Sequence, residues 1–259
     1  MKTTNSKIAY EDKGQGEILL LIHGFCGSSE YWAKVIPKLS ENYRVITIDL
    51  PGHGKSEVQH SMKEIDQYAL VIKELLEELK IEKVTMFGHS LGGYITLAFA
   101  ESNSQYLNGF SLIHSTGFPD SAEAKEGRAA SADKIDIEGI HAFIDGLVPK
   151  LFAPGNIDAH KKSLENVKEI GYRTSPQGAK DALHAMKERK DRTDVLANTK
   201  LPVLLIAGEN DQLIPAEKTF TANGENIEQV VIKGAGHMSM YEATEELANV
   251  ILSYVKKAE

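Results

Sequence analysis

Apolar positions along this chain come in short uninterrupted blocks separated by stretches of helical spacing. Ile18-Leu19-Leu20-Leu21-Ile22 is continuously apolar, the pattern of a strand buried on both faces. Val45-Ile46-Thr47-Ile48, Val84-Thr85-Met86-Phe87, the run from Phe110 to Ile113, the run from Val203 to Ala207 and Val230-Val231-Ile232 repeat it. Between several of these blocks the apolar period changes to that of a helix, most clearly at Ile65, Tyr68, Ala69, Ile72, Leu75, Leu76 and Leu79. Strands alternating with helices predict an α/β fold, with a mostly parallel central sheet flanked by helices. Ligands of such sheets sit beyond the carboxyl ends of the strands.

The alternation stops near Phe118 and resumes near Leu201. The intervening stretch has no strong strand run. Leu164, Val167 and Ile170 predict one helix, and Ala179, Leu183 and Met186 predict another. Asp158 and Ser175 are candidate N-caps, the latter followed by Pro176 at the first helical position. The division that follows is a core of residues 1–117 and 196–259, with residues 118–195 as a helical cap over the carboxyl edge of the sheet.

One turn carries the first chemical signal. Gly88-His89-Ser90-Leu91-Gly92 reads G-x-S-x-G, with a strand run before it and a Leu-, Ala- and Ile-rich helical stretch after it. A serine on so sharp a strand-to-helix turn is a nucleophile elbow, its hydroxyl standing clear of the sheet. A serine hydroxyl is a weak nucleophile without a base, and the base needs a third group to orient it. Asp211 follows the run from Val203 to Ala207, and His237 follows the next strand, so both fall at strand ends where they can meet Ser90. The expected roles are Ser90 as nucleophile, His237 as general base then acid, and Asp211 as the orienting carboxylate. The backbone N–H groups of Phe25 and Leu91 are the expected oxyanion donors, the second helped by the helix dipole.

Four blocks together resemble the α/β-hydrolase fold superfamily, in its short, capped, bacterial serine-hydrolase form. They are His23-Gly24-Phe25, Asp49-Leu50-Pro51-Gly52-His53-Gly54-Lys55-Ser56, the elbow with Gly93, and Gly208-Glu209-Asn210-Asp211 paired with Gly236-His237. The resemblance implies a sheet of about eight strands, with the helical cap inserted between strands six and seven. It also implies that Asp49 belongs to a structural loop. The expected activity is cofactor-independent cleavage of a carboxylic ester or related acyl bond in a small to medium substrate, through an acyl-enzyme. Two alternatives stay open: a carbon–carbon bond hydrolase or lyase using the same triad, and a ligand-sensing binding protein of the same fold.

Composition narrows the partners. The chain has 259 residues, 42% hydrophobic and 25% charged, enough for a sizeable core. Its formal net charge of −8 argues against nucleic acid or anionic membrane as a partner, leaving a small-molecule acyl substrate. A single cysteine, Cys26, allows no internal disulfide, and the scattered histidines suggest no zinc site and no cofactor. With no apolar signal segment at Met1-Lys2-Thr3-Thr4-Asn5-Ser6, a cytoplasmic location is expected. His23 is expected to shape the oxyanion loop by hydrogen bonding, and Cys26 to be a small buried hydrophobe. His53, His89 and Trp32 are read as structural, while His114 is left between pocket lining and core packing. Met186 and Phe152 are expected in the cap core, and Arg189 and Arg192 on a solvated face.

Overall fold

The computed structural model describes residues 1–59 and 62–258. Eight strands form one sheet: β1 (Lys2–Thr3), β2 (Ala9–Lys13), β3 (Ile18–Ile22), β4 (Arg44–Ile48), β5 (Val84–His89), β6 (Leu107–Ile113), β7 (Val203–Gly208) and β8 (Ile227–Ile232). Their spatial order is β1-β2-β4-β3-β5-β6-β7-β8. β1 and β2 pair antiparallel at one edge, and every later pairing is parallel. The six apolar runs coincide with β3 to β8. β1 (Lys2-Thr3) and β2 (Ala9-Tyr10-Glu11-Asp12-Lys13) carry no such run; β1 is exposed and β2 only partly buried.

The helices of the core are α1 (Ile36–Leu39), α2 (Ile65–Glu78), α3 (Leu91–Asn103), α8 (Ala216–Thr219), α9 (Ser239–Glu242) and α10 (Thr244–Ala258), and four more, α4 (Ala122–Leu147), α5 (Lys161–Tyr172), α6 (Pro176–Lys187) and α7 (Thr193–Asn198), lie between β6 and β7. In α2 the predicted face from Ile65 to Leu76 is buried, and the Gln67 side chain accepts the Glu64 N–H at 2.9 Å, closing the first turn. α3 is buried along most of its length, which explains its weak amphipathic pattern. Among the described residues no helix is long and apolar enough to cross a membrane.

The segment between β6 and β7 departs from its sequence reading in three ways. α4 runs for 26 residues, where only short helical signals were expected, and it is broken at Gly139, whose φ of 83° and ψ of 168° are not helical. Its Ala-, Gly- and charge-rich first half leaves many positions exposed and so lacks an apolar stripe. Asp158 does not cap α5. That helix begins after His160 without a side-chain cap, and Asp158 instead pairs with Lys161 at 3.4 Å on the surface. Ser175 does cap α6, accepting the Gly178 N–H, with Pro176 first in the helix.

Arg189 and Arg192 are buried, not solvated, because each meets carboxylates. Arg192 donates from Nε to Glu101 Oε2 at 3.0 Å and from Nη2 to Asp66 Oδ1 at 2.8 Å, tying the start of α7 to α2 and α3. Arg189 bonds Asp120 and lies 4.1 Å over the Tyr94 ring.

Candidate active site

Parallel pairing of β5, β6, β7 and β8 brings four strand ends side by side. Ser90 follows β5, His114 follows β6, Asp211 follows β7, and His237 follows β8. Ser90 occupies the turn into α3 with φ of 51° and ψ of −112°, a conformation strained for any residue with a Cβ. The turn is possible because the chain beside it is glycine. A Cβ on Gly92 would lie 2.5 Å from the Ile22 carbonyl oxygen, and one on Gly88 would strike the Gly92 backbone.

His237 Nδ1 lies 2.8 Å from Asp211 Oδ2. The other carboxylate oxygen, Oδ1, accepts the N–H groups of Leu213 and Ile214 at 2.9 and 3.0 Å, fixing the plane of the carboxylate. A second histidine also faces this carboxylate: His114 Nδ1 is 3.3 Å from Oδ2. His114 Nε2 meets the Ser239 hydroxyl at 2.7 Å, and with Ser239 donating there, the remaining imidazole proton sits on Nδ1 toward Asp211. Burial pushes the Asp211 carboxyl up, but the neighbouring His237 and His114, with the hydrogen bond from His237, outweigh this and hold it well below the usual carboxylate range. Burial holds His114 below the ordinary histidine value, only partly opposed by Asp211. Burial also lowers His89 strongly, helped by His237 and His114. His89 is neutral, and its Nε2 donates to the His237 carbonyl at 2.9 Å.

Among the described residues, His114, Asp211 and His237 could also offer three ligand atoms to a metal ion, all within 4.8 Å of one another. The 2.8 Å separation of His237 Nδ1 and Asp211 Oδ2 is that of a hydrogen bond. Two ligand atoms sharing a tetrahedral zinc at ordinary bond lengths stand about 3.3 Å apart.

The loop carrying His237 is held by a residue that sequence reading missed. Glu242 Oε2 accepts the N–H groups of Gly236 and Met238 at 2.9 and 3.3 Å, one on each side of the histidine. Its Oε1 accepts from Ala153 N and Asn156 Nδ2, so the same carboxylate reaches the segment between β6 and β7. His237 N donates to Leu151 O at 2.8 Å. Glu242 sits one turn beyond the histidine in α9, and only the folded loop reveals what it accepts.

The loop expected to hold an oxyanion is shaped from below. His23 Nε2 accepts the Leu50 N–H at 2.9 Å, leaving Nδ1–H to donate to the Gly24 carbonyl at 2.7 Å. Asp49 accepts from Ser29 N and Lys55 N, and its carbonyl accepts the Ser56 hydroxyl at 2.6 Å, so it organises the loop after β4. Among the described residues, neither the Phe25 N–H nor the Leu91 N–H donates to a protein acceptor. Cys26 is buried, which pushes its thiol up and away from reactivity.

A cavity of about 720 Å³ opens over these groups. Ser90 and His237 line it together with Phe25, Tyr31, Tyr94 and Ile214 from the core and Ser121, Arg128, Leu147, Leu151 and Met186 from the helical segment. Met186, expected in the cap core, is buried and lines the cavity. His114 is not among the lining residues and packs fully buried behind Asp211.

A family model described as alpha/beta hydrolase fold matches residues 17–244. The dihydrolipoyllysine-residue acetyltransferase component of the acetoin cleaving system of Pseudomonas putida is 31% identical over 93% of this chain, which spans 64% of that protein. The same component from Cupriavidus necator is spanned to 63%, so the chain covers less than two thirds of either relative. A thermophilic esterase from Thermogutta terrifontis, solved with malate bound, superposes with a TM-score of 0.92 at 30% identity, covering 97% of this chain and 93% of that one. An enol-lactonase from Burkholderia xenovorans LB400 superposes with a TM-score of 0.89 at 22% identity over 96% of each chain, a likeness of fold.

Proposed function

The chain belongs to the α/β-hydrolase fold family and is a hydrolase, and we propose that it is a serine hydrolase of carboxylic esters acting through an acyl-enzyme on a small to medium substrate. The observation that carries this reading is the His237 Nδ1 to Asp211 Oδ2 hydrogen bond at 2.8 Å, with His237 and the strained Ser90 lining one cavity. The 30% identity to an esterase over most of both chains supports the choice of bond.

In this mechanism Ser90 Oγ attacks the ester carbonyl carbon while its proton passes to His237 Nε2. The carbonyl oxygen becomes an oxyanion held by the Phe25 and Leu91 N–H groups, each worth about 2.7–4 kcal/mol in the transition state. Collapse breaks the C–O bond, and the leaving alkoxide takes the proton from Nε2. A water molecule, giving a proton to His237, then attacks the acyl-enzyme and releases the acid and free Ser90. Asp211 stays ionised throughout and stabilises the imidazolium.

The test is hydrolysis of p-nitrophenyl esters from acetate to palmitate by the wild-type protein and Ser90→Ala. Turnover lost in the mutant is the expected result, and the best chain length measures the cavity. Labelling of Ser90 by a fluorophosphonate without turnover of any ester would favour carbon–carbon or elimination chemistry with the same triad. Absence of both would favour a ligand-sensing protein.

A further inference from the structure

Part of the cavity wall carries an unbalanced charge. Asp120 is almost fully buried and accepts from two guanidinium groups: Arg189 Nη1 on Oδ1 at 2.5 Å, and Arg128 Nε on Oδ2 at 3.1 Å. All three residues line the cavity that holds Ser90. Arg189 is committed elsewhere as well. It donates from Nε to the Phe118 carbonyl and from Nη1 to the Met186 carbonyl, and its plane covers Tyr94. Arg189 therefore neutralises Asp120 and fixes it, and Arg128 arrives as a second cation on a carboxylate already paired.

Arg128 uses one nitrogen for that contact. Among the described residues its Nη1 and Nη2 groups make no hydrogen bond, and 27% of its side chain is accessible. It stands on α4 among Ala124, Gly127 and Ser131, which share its face at helical spacing and also line the cavity. These neighbours are small, so the guanidinium is the long side chain of that face. The remaining charged lining residues, Asp191 and Lys218, are exposed and of opposite sign. The cavity wall thus carries a net charge of about +1 inside a protein of formal charge −8. A half-buried guanidinium with unpaired N–H groups is stabilised by an anion that accepts from them, and the planar fork matches a carboxylate.

Resting on the serine-hydrolase reading of the same cavity, we propose that the substrate is an ester carrying a carboxylate remote from the scissile bond, and that Arg128 binds that carboxylate. Asp120 is the positioning residue, held by Arg189 and turning the Arg128 fork toward the cavity. Preference for the anion arises in binding, and the chemistry at Ser90 is unchanged by it.

The experiment compares matched substrates that differ only in this charge. For a carboxylate on the acyl side, mono-p-nitrophenyl adipate is measured against its terminal carboxamide. For one on the alcohol side, 4-acetoxybutanoate is measured against 4-acetoxybutanamide by acetate release. The wild type is expected to favour the anion of one pair about tenfold in kcat/KM, a ratio that falls to about one in Arg128→Gln and is partly kept in Arg128→Lys. The neutral member of each pair is the internal reference, so a general loss of activity leaves the ratio unmoved. A wild-type ratio near one in both pairs, or a tenfold ratio that survives Arg128→Gln, overturns the proposal while leaving the serine-hydrolase reading intact. Should the wild type hydrolyse no ester, that reading fails and calorimetry with adipate and adipamide decides the site. Adipate binding weakened about tenfold by Arg128→Gln supports it, and equal binding of the two compounds, or none, overturns it.

Discussion

His114 Nδ1 lies 3.3 Å from Asp211 Oδ2, on the oxygen that also bonds His237. One carboxylate oxygen therefore faces two imidazoles from two different strand ends. Replacing His114 by Phe removes a neighbour from Asp211 without touching the cavity. The expected result is a fall in kcat of about tenfold to a hundredfold with KM little changed, since misplaced reacting groups lose rate before they lose binding. His114→Gln, which keeps an N–H donor, should recover part of the rate. A rise in KM with unchanged kcat would show that His114 acts on the pocket instead.

Glu242 holds the main chain on both sides of His237 and reaches across to Ala153 and Asn156. Glu242→Ala leaves these donors without their acceptor, at a cost of about 2–3 kcal/mol for charge-assisted bonds at a half-buried site. Urea unfolding should show that loss, and ester turnover should fall together with it as the His237 loop loosens. Full turnover in a destabilised Glu242→Ala protein would assign the residue to stability alone.

Two further histidines set an acid limit to the fold. Burial, with the nearby His53 assisting, lowers His23 to about 3, and burial lowers His53 to about 4. Both are below the unfolded value of about 6.5, so in acid the unfolded chain binds more protons than the folded one. Their contribution is complete above about pH 6.5 and is lost as pH falls toward 4 and then 3. Between pH 7.5 and pH 5 each histidine should cost about 2 kcal/mol of unfolding free energy. Denaturant titrations at the two pH values check this, and His53→Asn should remove about 2 kcal/mol of the dependence.

Arg192 is buried while its partners Asp66 and Glu101 are half-exposed. Solvent screens such partners, so Arg192→Ala should cost about 1–2 kcal/mol, less than loss of a fully buried pair. Arg192→Lys should recover little, because one ammonium cannot reach both carboxylates as the fork does. Thermal unfolding of the two variants measures the difference.

Sequence patterning disclosed what depends on long apolar runs and on turn chemistry. β3 to β7 are legible because strands buried on both faces have no polar alternation, whereas β8 shows only the short run Val230-Val231-Ile232 and, as an edge strand, leaves Val231 exposed. Ser90 is legible because the elbow needs Gly88 and Gly92 at fixed spacing. Asp211 and His237 are legible as candidates by their place after β7 and β8. What stayed hidden depends on contacts between segments far apart in the chain. His114 looked equally suited to packing or lining, since nothing local says that Ser239, 125 residues later, meets its Nε2. Arg189 and Arg192 read as surface residues because their carboxylates come from 69 to 126 residues away. α4 was obscured by its own composition, because its Ala-, Gly- and charge-rich first half leaves most positions exposed or facing a cavity and shows no apolar stripe.

β6 and β7 are hydrogen-bonded neighbours, with Ile113 opposite Ile206. The chain therefore leaves the sheet and rejoins it about 4.8 Å away, after building every helix of the segment that roofs the cavity. Such a segment behaves as a cassette: its exit and return are pinned, and its interior can drift in length and composition without shifting the sheet. The pin is chemical as well as geometric, because His114 stands at the exit and Asp211 follows the strand of return. Selection on the cassette can change which molecules are admitted while the machinery beneath it stays in register.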